Sequence, residues 1–337
     1  MASTSRELVY QTVNFENPKR VPLELWYLPL AEIKYPGAIQ KLYEEFDNFD
    51  TVTVPGFHTE LSIAKGDPCK KGEFRDPWGC IFENIHDGVI GEVKNPTVKD
   101  WDEDINKIHI PYDCLSIDPE KINKFCGETD KFVKAGFCPR PFEQLQFIRG
   151  TVELYMDLID PSPKMLEFIK TMSELYYKEA ELWAKTDVDC LTFMDDWGSQ
   201  LNLLISPTLW REYFKPIYKN LVQIAHSHNK KIFMHSDGNI LEVYPDLIEI
   251  GVDLLNSQVF CMGIDNLEKY SGKITFNGEI DRQHLLPNGT LEEIDSAVKE
   301  VFTKLWKNGG VIGQCEFGDS KLENVIQVYK SWQSVLP

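Results

Sequence analysis

Short apolar runs alternate along this chain with longer stretches whose apolar residues recur every three or four positions. The runs VPLELWYL (21–28), TVTVPGF (51–57), KFVKAGFC (131–138) and VDCLTFMDD (188–196) read as buried strands. KKIFMHSD (230–237), VDLLNSQ (252–258), KITFNGEID (273–281) and GGVIGQCE (309–316) continue the series to eight. The segments between them carry helix signals. Ser162-Pro163 and Ser206-Pro207 fit an N-cap followed by the first helical position, and Pro216 predicts a kink inside the helix after Pro207. Thr290 with Glu293 forms a capping-box pattern, and Gly309-Gly310 ends that helix and feeds the last strand.

Eight strands alternating with helices through right-handed crossovers predict an α/β fold of the (β/α)8 TIM-barrel type. A doubly wound open sheet fits less well, because the turn after the first strand, YLPLAEIKYPG, lacks a glycine-rich signature. The alternation lapses only over residues 58–130, longer than an ordinary connection. FRDPWGCIFENI and DGVIGEVKNP inside that stretch predict a small β-containing insertion between the second and third strands, lying over the barrel mouth. The expected organisation is a single domain over residues 1–337.

In such a barrel, chemistry gathers at the C-terminal strand ends. Polar residues collect there in this sequence: Asp195-Asp196, His235 with Asp237, Asn256 with Gln258, Asn277 with Glu279, and Gln314-Cys315-Glu316. Strand starts carry Lys230, Lys273 and Gly309, which are solvent and turn residues. His235, Asp237 and Cys315 are therefore candidate metal ligands, since imidazole, carboxylate and thiolate are the usual donors to Zn²⁺. Asp195, Asp196 and Glu279 are candidate catalytic acids or bases. Trp26, Phe57, His58, Trp197, Asn256 and Gln258 are candidate substrate contacts near strand ends. Each has a plainer role open to it: Asp237 as a helix cap, Glu279 as a salt-bridge partner of Arg282, Cys315 as a buried apolar residue, and the aromatics as core.

Composition narrows the classes. A formal charge of −18 over 337 residues argues against a nucleic-acid partner. No stretch approaches the ~20 apolar residues that a membrane span requires, and the N-terminus lacks a signal-peptide layout. Eight cysteines without a CxxC pair suit a reducing compartment, so a cytoplasmic protein is expected.

Several segments resemble a known family. NPKRVPLELW, FRDPWGCIFENIHDGVIGEVKNP, PFEQLQFIRGTVELYMDLI, LTFMDDWGSQLNLLISPTLWREYFKPIY, KIFMHSDGNI and FNGEIDRQHLLPNGTLEEI are similar to the uroporphyrinogen decarboxylase superfamily. The resemblance spans nearly the whole chain and implies a (β/α)8 barrel that is either a porphyrinogen decarboxylase or a cobalamin-associated methyltransferase. The decarboxylase branch has an arginine-rich segment near the first strand for a polycarboxylate substrate; here LWYLPLAEIKYPG has no arginine. The methyltransferase branch carries His-x-Cys on the fifth strand and a late cysteine on the eighth. His235 and Cys315 match those positions, while Asp237 replaces the first cysteine and makes the site harder. Gln258 falls near a position where related zinc sites offer glutamate, and Glu279 is a rival ligand.

The resemblance thus implies a corrinoid-dependent methyltransferase of the O-demethylase kind, zinc-assisted, acting on a small aryl methyl ether such as a methoxyphenol. The corrinoid would come from a partner protein, for which residues 58–130 offer a docking surface. A decarboxylase or lyase acting on a smaller acid, and a noncatalytic barrel that binds a corrinoid protein, are the alternatives.

Overall fold

The computed structural model describes residues 3–46, 49–60 and 62–335. The two ends of the expected 1–337 span, Asp47-Asn48, and Leu61 within the insertion lie outside the described residues. Eight strands form one parallel sheet: β1 (Leu23–Tyr27), β2 (Thr51–Thr53), β6 (Phe132–Lys134), β7 (Cys190–Met194), β8 (Lys231–Ser236), β9 (Leu254–Ser257), β10 (Thr275–Gly278) and β11 (Val311–Phe317). Their spatial order is β1-β11-β10-β9-β8-β7-β6-β2. A parallel bridge between Leu23 and Phe49 closes the remaining seam. Asp50 locks that seam: its Oδ2 accepts from Leu23 N at 2.8 Å while Arg20 neutralises the carboxylate at 2.6 Å. The (β/α)8 barrel expected from the alternation is the observed fold.

The helix signals act as predicted. Ser162 Oγ accepts from Met165 N at 3.1 Å, Ser206 Oγ accepts from Leu209 N at 3.3 Å, and Thr290 and Glu293 form both halves of a capping box. Pro216 breaks its helix into Pro207–Tyr213 and Lys215–Ser227, because a proline ring and a missing N–H cannot continue the ladder.

The N-terminal end of the barrel is plugged. Helix Ser5–Val13 sends Val9 and Val13 against Phe132, Cys190, Phe233, Leu254 and Ile312, a small apolar core inside the sheet. The much larger second core fills the space between the sheet and the outer helices. At the other end, the insertion folds as a three-stranded antiparallel sheet of β3 (Gly72–Arg75), β4 (Ile81–Asn84) and β5 (Glu92–Val93). Phe74 and Phe82 from this sheet, with Val89 and Ile90 before β5, wall a cavity whose floor is the barrel's C-terminal rim. No helix among the described residues is long and apolar enough to cross a membrane.

Candidate metal site at the barrel rim

Parallel pairing aligns His235 on β8 with Asn256 on β9, and Asn256 with Asn277 on β10, so the three share one level of the barrel. Beneath them lies a buried ion pair between Lys134 and Glu24. Burial alone would push Glu24 up, but Lys134, together with hydrogen bonds from Trp26 and Asn277, outweighs it and holds the carboxyl below its ordinary range. Asn277 Nδ2 donates to Glu24 Oε2 at 2.6 Å, and Asn256 Nδ2 donates to Asn277 O at 3.1 Å and to Gln314 Oε1 at 3.2 Å.

Those two donations orient the Asn256 amide. Its Oδ1 must face His235 Nδ1, 2.6 Å away, which therefore carries a hydrogen. With that hydrogen on Nδ1, Nε2 is the ring nitrogen turned toward the cavity floor. There it meets Asp196 Oδ1 and Asp237 Oδ1, each 3.6 Å distant. Three atoms bearing lone pairs converge there, and Asp237 Oδ1 is buried without a hydrogen-bond partner. Such a cluster calls for a cation, either a metal ion or a proton on Nε2. One donor atom from each of Asp196, His235 and Asp237 lies within 4.8 Å of the others, close enough to share an ion. Two carboxylates and an imidazole suit zinc and the harder divalent metals.

The supports of this cluster are local. Asp196 Oδ1 accepts from Asp237 N at 2.9 Å, tying the loop after β7 to the loop after β8. The loops touch through glycine: a Cβ on Gly198 would stand 2.2 Å from Asn239 N, and Gly238 has φ +76°. Arg282 forms ion pairs with Asp237 Oδ2, with Glu316 at 2.5 Å and with Glu279 at 3.2 Å. Burial pushes the Glu279 carboxyl up to about 8 despite that guanidinium.

The cavity above the cluster measures about 720 Å³. Leu28, Phe74, Phe82, Val89, Ile90 and Phe147 give it an apolar wall. Its floor adds Arg140, Glu143, Asp196, Asp237, Arg282 and Glu316. Glu143 has a buried Oε2 with no partner, and its other oxygen is 3.8 Å from Arg140. Burial raises its carboxyl to about 7, with Arg140 opposing and the Asp196 charge adding to the rise.

The expected residues separate into two groups. His235, Asp237 and Asp196 come together at the floor, with Asn256 directly behind the imidazole. Trp26 packs against the His235 ring at 5.3 Å between centroids, but its Nε1 donates to Glu24 at 2.8 Å, below the site. Glu279 and Gln258 line a smaller adjoining pocket of about 180 Å³, and Gln258 Oε1 accepts from Gly238 N at 3.1 Å.

The others are corrections. Cys315 does not join the cluster. Strand alternation sends Gln314 and Glu316 inward, and its Sγ instead faces the outer helix, donating to Tyr329 Oη at 3.7 Å. Burial pushes its thiol up to about 12, far from a ready thiolate. Asp195 turns away from the cavity as well. It accepts from Phe142 N at 3.0 Å, Glu143 N at 2.8 Å and Tyr218 Oη at 2.5 Å, and so caps the helix that carries Glu143. Trp197 is fully buried, stacked 3.9 Å from Phe142, and belongs to the helix layer rather than to a substrate pocket. Phe57 packs on Phe125, and His58 is exposed and bridged to Ile117; neither lines the cavity.

Arg140, Glu143 and the Glu24–Lys134 pair carry no signal that sequence alone singles out. Arg282, three positions after strand-end Glu279, is the salt-bridge partner that the sequence offers for it, and the pair forms at 3.2 Å. Glu143 has no comparable signal, since it enters the cavity from the start of a helix.

Residues 84–328 match the family described as uroporphyrinogen decarboxylase (URO-D). Among solved structures, a methyltransferase from Methanosarcina mazei superposes with a TM-score of 0.66 at 15% identity, covering 98% of each chain. A sugar phosphate isomerase/epimerase from Parabacteroides distasonis reaches a TM-score of 0.42 at 10% identity, covering 94% of both chains. No curated protein matches the chain by sequence.

Proposed function

The chain belongs to the uroporphyrinogen decarboxylase (URO-D) family, and on that premise we propose that it is a methyltransferase. It moves a methyl group between a small aryl methyl ether, of the methoxyphenol kind, and a corrinoid carried by a partner protein. The observation that carries this reading is the convergence of Asp196 Oδ1, Asp237 Oδ1 and His235 Nε2 on one point of the cavity floor. The fold shared with the Methanosarcina mazei methyltransferase over 98% of both chains supports it. Porphyrinogen decarboxylation fits less well, because Arg282 is already surrounded by three carboxylates and carboxylates outnumber arginines on the floor.

Asp196, His235 and Asp237 would hold zinc, which when bound supplies Lewis acidity to an ether oxygen that otherwise leaves poorly as phenolate. The chain's own residues do the rest. Asn256 holds the imidazole in the tautomer that exposes Nε2. Arg282 occupies Asp237 Oδ2 and leaves Oδ1 for the shared point. Phe74, Phe82 and Phe147 cover the ring and keep water from it. Glu143 Oε2 stands unpartnered in the same wall, placed to take or return a proton at a hydroxyl on the ring. The mouth beside the insertion is where the corrinoid partner would approach.

The test uses purified protein, 2-methoxyphenol and reduced cobalamin, with methylcobalamin formation read by absorbance. Zinc-loaded protein should transfer the methyl group and chelator-treated protein should not. Transfer that is indifferent to metal, or no transfer from any methylated compound, contradicts the reading.

A further inference from the structure

We infer that the cavity selects its methyl donor by charge: it accepts neutral or cationic methoxyarenes and rejects those bearing a carboxylate. The inference rests on the aryl-ether reading for the identity of the ligand, but the selection follows from the cavity's own groups. Five carboxylates line it, from Asp76, Glu143, Asp196, Asp237 and Glu316, against the two guanidiniums of Arg140 and Arg282, with the His235 imidazole at the floor beside them. A divalent ion on the rim cluster still leaves carboxylates in excess.

Arg282 is already committed to carboxylates, and Arg140 already faces one. Arg282 is shared among Asp237, Glu279 and Glu316. Arg140 is held 3.8 Å from Glu143 Oε1 and donates to Met194 Sδ at 3.1 Å. A benzoate in this space would set its charge beside carboxylates, and like charges in contact lose affinity. Groups that donate hydrogen bonds meet the opposite situation. Glu143 Oε2 is buried without a partner, and a hydroxyl or ammonium on the ring would satisfy it.

Three probes sharing one methoxyphenol ring test this: 2-methoxyphenol, 4-hydroxy-3-methoxybenzoate and 4-hydroxy-3-methoxybenzylamine. Their binding to the zinc-loaded protein at pH 8 is read by calorimetry, without corrinoid. The benzoate should bind at least about tenfold more weakly than 2-methoxyphenol, and the benzylamine as tightly or more tightly. Ile90→Lys, at a half-exposed position of the wall, should recover about fivefold of the benzoate's affinity, the size of one partly solvated ion pair. A benzoate that binds as well as 2-methoxyphenol, or failure of all three to bind, overturns the proposal. Ligands that bind in the expected order but give no methyl transfer count against the methyl-transfer reading alone.

Discussion

His235 Nδ1 lies 2.6 Å from Asn256 Oδ1, and the direction of that hydrogen bond is set by two further bonds on the far side of the Asn256 amide. The tautomer of the imidazole is thereby decided two residues away from the cavity, through Asn277 and Gln314. Asn256→Asp keeps an acceptor at Nδ1, whereas Asn256→Leu removes it and frees the ring to flip. Zinc affinity, measured by competition with a chromogenic chelator, should fall about 10–100-fold in Asn256→Leu and stay near wild type in Asn256→Asp. Equal affinity in all three proteins would show that the amide does not orient the ligand.

Cys315 and His235 should respond oppositely to truncation. His235→Ala should lose bound zinc while the circular dichroism of the barrel is retained. Cys315→Ala should keep full zinc stoichiometry and lose about 1–2 kcal/mol of stability, because a buried side chain beside Tyr329 is removed from a packed layer. Loss of zinc from Cys315→Ala would reinstate the thiol as a ligand.

The contact between the loops after β7 and β8 has no room for a side chain. Gly198→Ala would place a Cβ 2.2 Å from Asn239 N and 2.7 Å from Gly238 Cα, both backbone atoms. The loops must part, carrying Asp196 and Asp237 with them. A drop of about 2 kcal/mol in stability, together with weakened zinc binding, is expected. Gly127→Ala, where nothing lies within 4 Å, is the control and should be neutral or slightly stabilising. Zinc affinity preserved in Gly198→Ala would mean the cluster does not depend on this loop contact.

Glu179, on the long helix Pro163–Ala184, is buried against Cys114, and burial raises its carboxyl from 4.5 to about 8. Between those two values the folded protein keeps a proton that the unfolded chain releases, so this group lowers stability as pH rises through the window. Glu179→Gln removes the effect. Urea unfolding should find the variant more stable than wild type above pH 8, by up to a few kcal/mol, with the gap closing toward pH 4.5. A gap that does not change with pH would show that Glu179 ionises freely in the folded state.

The eight strands and the capped helices were legible because each depends on local patterning: apolar runs of strand length, Ser-Pro and Thr-x-x-Glu starts, and a proline break. The clustering of chemistry at strand ends was legible for the same reason, and it located His235, Asp237 and Asp196. The facing of individual residues was not. In Gln314-Cys315-Glu316 every residue is a plausible site group, but alternation allows only the first and third to face inward, and the phase is set by pairing with β1 and β10. Asp195 and Asp196 present the same ambiguity, and the inner of the two turned out to be the second. Glu143 and Arg140 were hidden for a different reason. They enter from a helix start whose orientation is set by the Asp195 cap, a contact across 52 positions of chain.

The central claim is that the rim cation is held by oxygen and nitrogen donors alone. X-ray absorption at the zinc edge of the reconstituted protein tests it most directly. The account predicts a first shell of light scatterers only, at about 2.0–2.2 Å, which disappears in His235→Ala. A sulfur scatterer at about 2.3 Å would bring Cys315 or another thiolate into the site and contradict the arrangement described above.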